Sequence, residues 1–184
     1  MYEFLVLGAL SRFPMHGYMI AKVLGNMTGP FRHLQWGALY PVLNRLQAEG
    51  LVAAEEAVTD EEGRTKKVYV ITDKGRERLH QHVMDTESHI GTYDSVFPHK
   101  VSHFSWLTPE ERIHLCRHYA VHAQQNLDHL ERKLHDIAEN PRLTPAQRQD
   151  IQSVMNHRIE HWKHERSWAE SLIDVQAASR KESA

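Results

Sequence analysis

Between Trp36 and Leu51 the apolar residues Leu39, Val42, Leu43 and Leu46 recur at three- and four-residue spacing, which gathers them on one side of a helix. The opposite side carries Tyr40, Asn44, Arg45 and Gln47, whose polar groups can donate to phosphate oxygens or to base edges. Gly50 reads as the C-terminal stop of this helix. Pro41 lies early, where few backbone N–H groups have intrahelical partners, so it costs at most a slight kink. A short one-sided helix with a polar, partly basic outer face fits a recognition helix. Alone, the pattern favours an ordinary surface helix; its neighbours reverse that.

Upstream, residues 2–11 form a mostly apolar stretch, expected to be a buried helix that ends at Phe13-Pro14. His16 to Met27 resumes a helical pattern through Tyr18, Ile20, Ala21 and Leu24, and Gly29-Pro30 closes it. Downstream the texture changes to two strands, residues 51–58 and 66–72, the second with alternating faces. The polar link between them contains Gly63 for the turn and leads into Arg64, Lys66 and Lys67. Three helices followed by such a hairpin is the order of a winged helix-turn-helix, in which the basic returning strand would touch backbone phosphates or a minor groove. Thr72-Asp73-Lys74-Gly75 opens a further helix with Thr72 or Asp73 as N-cap. The stretch from Gly91 to Trp106, interrupted at Pro98, has room for one short helix.

Thr108-Pro109-Glu110-Glu111 is a helix start, with a cap, a first-turn proline and acids at the positive helix end. Ile113, Cys116, Ala120, Ala123, Leu127, Leu130, Leu134 and Ile137 then form a heptad-like seam that ends at Asn140-Pro141. A second long helix opens at Thr144-Pro145, with Ile151, Met155, Trp162, Ala169, Leu172 and Ile173 on its apolar side. Two such helices bury only part of their apolar surface against each other, so a second copy of the pair is the natural partner; a monomeric hairpin folded back on the first domain is the alternative. The expected fold is mainly α: a winged helix-turn-helix with a two-stranded β wing at 1–80, a connecting helix and linker at 81–106, an antiparallel two-helix dimerisation domain at 107–176 and a frayed tail at 177–184.

Composition narrows this without redirecting it. A chain of 184 residues has length for one domain or two small ones, and it contains no apolar run that could span a bilayer. The apolar opening lacks the features of a signal peptide, and a single cysteine, Cys116, fits a reducing cytosol. Net charge is −2 overall, but residues 1–80 hold ten Lys/Arg against nine Asp/Glu and the remainder twelve against fifteen. Any positive surface for nucleic acid must therefore be local. No phosphate-binding loop, dinucleotide fingerprint or His-Glu-x-x-His is present, and Cys116 has no evident His–acid arrangement, so neither an enzyme nor a cofactor is expected.

The His16-Gly17-Tyr18 turn, the Gly37-Ala-Leu-Tyr-Pro41 core, the Leu46-Gln-Ala-Glu-Gly50-Leu51-Val52 exit and the Lys67-Val-Tyr-Val-Ile-Thr-Asp-Lys-Gly75 strand-to-helix passage resemble the PadR family of bacterial transcriptional regulators. The long C-terminal helices resemble its larger, phenolic-acid-responsive branch. The resemblance implies a cytoplasmic homodimer on pseudo-palindromic double-stranded operator DNA, a repressor released by a small aromatic effector. It implies DNA contacts at Tyr18, Gln35, Trp36, Gly37, Tyr40, Asn44 and Arg45, and wing contacts at Arg64, Lys66 and Lys67. Trp36 is bulky for that position and serves equally as an inward-packing or ligand-facing group. On physical grounds Tyr40, Arg45, Lys66 and Lys67 would position the protein on phosphates, while Asn44 and Gln35 could read adenine edges.

Two further groups invite a ligand. His114, His118 and His122 share one helix face by four-residue spacing, as do His157 and His161, which could present imidazoles to a metal. The first three lie off the seam, which points them to solvent or a surface groove and not into a closed site, so no metal site is expected. A metal-responsive or protein-binding winged-helix module built on these helices remains the alternative function. Phe97, Phe104, Trp106, Trp162 and Trp168 supply flat aromatic walls that could receive a planar carboxylate neutralised by Arg or His. The candidate effector set is Trp36, Phe97, Phe104, Trp106, His157 and Trp162.

Overall fold

The computed structural model describes residues 1–28, 36–59 and 65–182, with the backbone alone at 27–28, 36–38, 56–59, 65–66 and 179–182. The chain divides into two compact units, Met1–Asp85 and Thr86–Ala184. Among the described residues no helix is long and apolar enough to cross a membrane.

The first unit is a winged helix. Helix α1 (Tyr2–Leu10) is buried at every residue from Phe4 to Leu10, as its unbroken apolar run requires. Strand β1 (Met15–His16) follows, then α2 (Gly17–Thr28), α3 (Trp36–Ala48), β2 (Val52–Thr59), β3 (Thr65–Ile71) and α4 (Asp73–Met84). The sheet has the order β1-β3-β2 and is antiparallel throughout. The expected two-strand hairpin thus gains a third, two-residue strand, with Met15 opposite Tyr69 and His16 opposite Val68. That strand is too short to leave a periodic signal in the sequence.

The passage from α3 to the sheet is fixed by hydrogen bonding. Gly50 has a φ of +72°, the left-handed conformation in which a Cβ is strained. Its N–H donates to the Gln47 carbonyl and the Leu51 N–H to the Leu46 carbonyl, which closes the helix with a Schellman pair over the buried Leu46 and Leu51. The N-cap of α4 is Thr72: its hydroxyl oxygen accepts from the Gly75 N–H at 3.1 Å and its O–H donates to the Gly50 carbonyl at 2.8 Å. The end of α3 and the start of α4 are tied through one side chain.

In the second unit a single 3₁₀ turn (Ile90–Thr92) leads into α5 (Tyr93–Val101), and another (Phe104–Trp106) precedes α6 (Pro109–Ala138) and α7 (Pro145–Glu182). Thr108 caps α6 as expected and forms a reciprocal capping box with Glu111, which Thr144 and Gln147 repeat at α7. The stretch read as a connector, 81–106, is divided: α4 ends at Met84 within the first unit, while Tyr93, Val96, Phe97 and Phe104 are core residues of the second. Pro98 lies inside α5 instead of breaking it, and α7 continues to Glu182, past the expected end at 176.

The α6 seam is wider than a two-position heptad stripe. Leu115 and Tyr119 are fully buried beside Cys116, Ala123, Leu127 and Leu130, whereas Ile113 and Ala120 are only half-buried. Aromatic side chains of α5 pack against Tyr119, so its face of α6 is covered as well. Farther along, Ala123, Leu127 and Leu130 pack with Ile159 and Trp162 of α7, flanked by Leu134 and Met155.

Candidate nucleic-acid interface

Helix α3 is as one-sided as its spacing predicts. Leu39, Leu43 and Leu46 are essentially inaccessible, Val42 is half-buried, and Tyr40, Asn44, Arg45 and Gln47 are exposed. The face is held against α1, α2 and β2 by the leucines, so its outward groups ride on a rigid element. The His16-Gly17-Tyr18 turn completes the surface. His16 Nδ1 accepts from the Met19 N–H at 3.1 Å, tying the start of α2 to its strand. A Cβ at Gly17 would stand 3.2 Å from the Tyr40 hydroxyl, so this glycine lets the α3 tyrosine lie close over α2. Tyr18 stacks on His16 and is 62% exposed.

The other positions expected to meet DNA are less completely described. Trp36 and Gly37 fall in the first turn of α3 and Lys66 in β3, by backbone only; Gln35 and Arg64 lie outside the described residues. Lys67 is exposed on β3 opposite Glu56.

Arg45 has company that its sequence neighbours do not reveal. Its Nη2 donates to Glu3 Oε2 at 2.8 Å, and its Nε lies 4.0 Å from Glu49. The other Glu3 oxygen receives Arg78 at 3.1 Å and His82 at 2.8 Å. Burial opposes ionisation of Glu3, but the hydrogen bond and charge of His82, with Arg45 and Arg78, outweigh it and hold the carboxyl below its ordinary range. One carboxylate from α1 therefore gathers α3 and α4.

The aromatic residues of the second unit form a packed cluster. Phe97 and Tyr119 stack with ring centroids 3.9 Å apart, Trp168 meets Phe97 edge-on at 5.5 Å, and Tyr93 meets Tyr119 edge-on at 5.1 Å. The Tyr119 hydroxyl donates to Glu165 at 2.5 Å; burial and this carboxylate push its ionisation far above the usual range. Phe104 joins by packing on Phe97, and Trp162 through His122. Of the remaining effector candidates in this unit, His157 is exposed, and Trp106 is 45% exposed beside His103. The structure thus brings Phe97 and Phe104 together, places Trp162 in the neighbouring α6–α7 cluster, and leaves His157 and Trp106 on the surface. Lys100, 1% exposed, stands 6.0 Å over the Tyr93 ring, a buried cation that the sequence did not single out.

His118 and His122 correct an expectation. Instead of pointing to solvent they are half-buried, with ring centroids 5.5 and 5.3 Å from Tyr93. Position 118 is one turn from the seam, and α5 packs where the sequence suggested water. Among the described residues no three His, Cys, Asp or Glu side chains are grouped to hold a metal. Burial pushes the His118 imidazole down, as do His114 and Lys100 against the opposing Glu87. Burial does the same at His122, helped by His118 and opposed by Asp94. Below the ordinary value of 6.5 the unfolded chain therefore binds more protons at these positions than the folded one. Stability from these groups is complete above that pH and is lost as the pH falls below it. The melting midpoint of the second unit, followed by tryptophan fluorescence, is expected to drop between pH 7.5 and 5.5, and less in a His118→Gln/His122→Gln variant. An unchanged midpoint would contradict the packing of these rings.

Residues 6–81, which span most of the winged-helix unit, match the sequence model of the Transcriptional regulator PadR-like family. The first unit is a PadR-like domain. PadR-like proteins are transcriptional regulators and not enzymes, consistent with a Cys116 thiol that burial pushes up to about 11. The Negative transcriptional regulator PadR of Bacillus subtilis is 23% identical over 173 residues, covering 93% of this chain and 94% of that protein. The crystal structure of Bacillus subtilis PadR with operator DNA aligns with a TM-score of 0.44 at 23% identity, covering 95% of this chain and 98% of that one. The same protein's structure with p-coumaric acid aligns at 0.40 and 20% identity, covering 95% and 94%. In this PadR-like chain the matched segment contains all of α3 and both long strands.

Proposed function

We propose that this PadR-like regulator is a homodimeric repressor that binds a pseudo-palindromic operator through α3 and the β2–β3 wing and is released by a small aromatic acid. The observation that carries the reading is the division of α3, with Leu39, Leu43 and Leu46 sealed inward and Tyr40, Asn44 and Arg45 presented outward beside Tyr18. Asn44 has the donor–acceptor pair that matches an adenine edge, and Tyr18, Tyr40, Arg45 and Lys67 supply phosphate partners. Gln35, Trp36, Gly37, Arg64 and Lys66 are proposed as further DNA contacts on the family resemblance alone. Two-fold symmetry would set the two helices about one duplex turn apart, ~34–36 Å.

Dimerisation through α6 and α7 is supported by apolar residues left on both helices, including Val121 and Val154, each more than half exposed. The effector reading draws on the aromatic cluster of Tyr93, Phe97 and Tyr119 with the buried Lys100 beside it, a combination of flat walls and a cation that suits an aromatic carboxylate. The cytoplasm is the compartment such a regulator requires.

Fluorescence anisotropy with a labelled fragment from upstream of the protein's own gene, at two salt concentrations, tests this. Binding is expected to weaken steeply with salt, through release of counterions from the phosphates, and to be reversed by millimolar p-coumarate. Salt-sensitive binding that p-coumarate leaves intact would refute the effector class alone.

A further inference from the structure

We infer that Glu3 is a positioning residue of the DNA-reading surface, an anchor on α1 that fixes Arg45 of α3 in the orientation that meets a phosphate; the inference rests on the DNA-binding reading above.

The geometry separates this carboxylate from an ordinary surface acid. Its side chain is 11% exposed, and both oxygens are engaged, one by Arg45 and the other by Arg78 and His82 of α4. A carboxylate held by α4 donors on one oxygen is a fixed point against which a third donor can be set. Arg45 remains 54% exposed while bound to that point, next to the outward Asn44. An arginine side chain is long and flexible, and its planar guanidinium makes directional bonds, so tethering one edge removes much of the freedom that phosphate binding would otherwise have to freeze. Glu49 flanks the same guanidinium from its own helix at 4.0 Å and helps to confine it.

Electrostatics makes the inference sharp, because it predicts the opposite sign. Glu3 places a negative charge near a surface meant for phosphates, so a pure charge effect would have its removal tighten DNA binding. A positioning role has removal weaken it, and only while Arg45 is present.

The test is a double-mutant cycle on the full chain, using a duplex that the wild-type protein selects from a random-sequence pool. Glu3→Gln, Arg45→Ala and the double variant are compared by anisotropy below their melting temperatures, with the active fraction titrated. Glu3→Gln is expected to weaken binding about fivefold, the order expected for freeing one long side chain. The double variant is expected to bind within about twofold of Arg45→Ala, following the same coupling logic. Should Glu3→Gln lower the folded fraction, Glu3→Asp keeps the charge, shortens the reach by one methylene and carries the same expectation. Binding by the Glu3 variant that is unchanged or tighter would overturn the inference, as would a loss that persists undiminished without Arg45. A wild-type protein that selects no duplex would overturn the DNA-binding reading and this inference with it.

Discussion

Gly75→Ala is expected to destabilise the winged-helix unit by about 3 kcal/mol, at the upper end of what overpacking a filled site costs. A Cβ at this position would stand 2.1 Å from the Leu51 carbonyl oxygen and 2.8 Å from Ile71 Cγ1. Neither obstacle can swing away. The Leu51 carbonyl is backbone and accepts from the Thr72 N–H at 3.1 Å, and Ile71 is a buried β3 side chain. Relief requires the first turn of α4 to lift off the strand, which breaks the Thr72 cap and the link from Thr72 to Gly50. For a unit of this size each kcal/mol corresponds to roughly 4–8 °C, so the melting midpoint should fall by roughly 12–24 °C. Circular dichroism checks it. A midpoint within about 3 °C of wild type, less than 1 kcal/mol on that conversion, would mean that α4 and β3 do not approach each other this closely.

The damage should not stop at stability. The same cap joins α4 to the end of α3, and Lys74 reaches back to the Glu49 carbonyl at 2.9 Å. Both ties act where α3 ends, so loosening them loosens the element on which Tyr40, Asn44 and Arg45 are mounted. The Glu3 cluster adds a third tie, from α1, which is why the outward face of α3 can be treated as preorganised.

What could be read from the residues alone was local. The leucine spacing of α3, the Gly50 stop, the Thr72 and Thr108 caps and the alternating wing strand each depend on neighbours within one or two turns, and each is found where the pattern places it. What escaped depends on residues far apart in sequence. Glu3 and Arg45 are 42 positions apart, and nothing in either segment signals the other. Strand β1 exists because β3 offers a free edge to Met15 and His16, not because two residues have a period. The burial of Tyr119 and of the two half-buried histidines of α6 has one cause: α5, whose sequence carries no signal of what it packs against, lays Tyr93 and Phe97 on that face. Lys100 escapes such a reading because a lysine normally marks the surface, and here the side chain is buried with its Nζ 6.0 Å from the Tyr93 ring centroid.

The second large effect concerns recognition itself. Asn44→Ala is expected to cost about 2 kcal/mol on a specific duplex, within the 1–3 kcal/mol range of a bidentate side chain–base pair, and to cost almost nothing on random DNA. The residue is exposed on the middle of α3 and carries no charge, so removing it leaves the counterion term and the leucine packing untouched. Tyr40 and Lys67, as phosphate partners, should behave differently: their loss would weaken specific and non-specific binding together. This contrast distinguishes a helix that reads sequence from one that only touches the backbone.

The measurement that bears most directly on the central claim is therefore the affinity of wild type and Asn44→Ala for two duplexes, one selected by the wild-type protein from a random pool and one scrambled. A loss of about 30-fold on the selected duplex, the equivalent of 2 kcal/mol, with an unchanged affinity for the scrambled one, is the predicted result. Equal affinities of the two proteins for the selected duplex would contradict the assignment of α3 as the element that reads DNA.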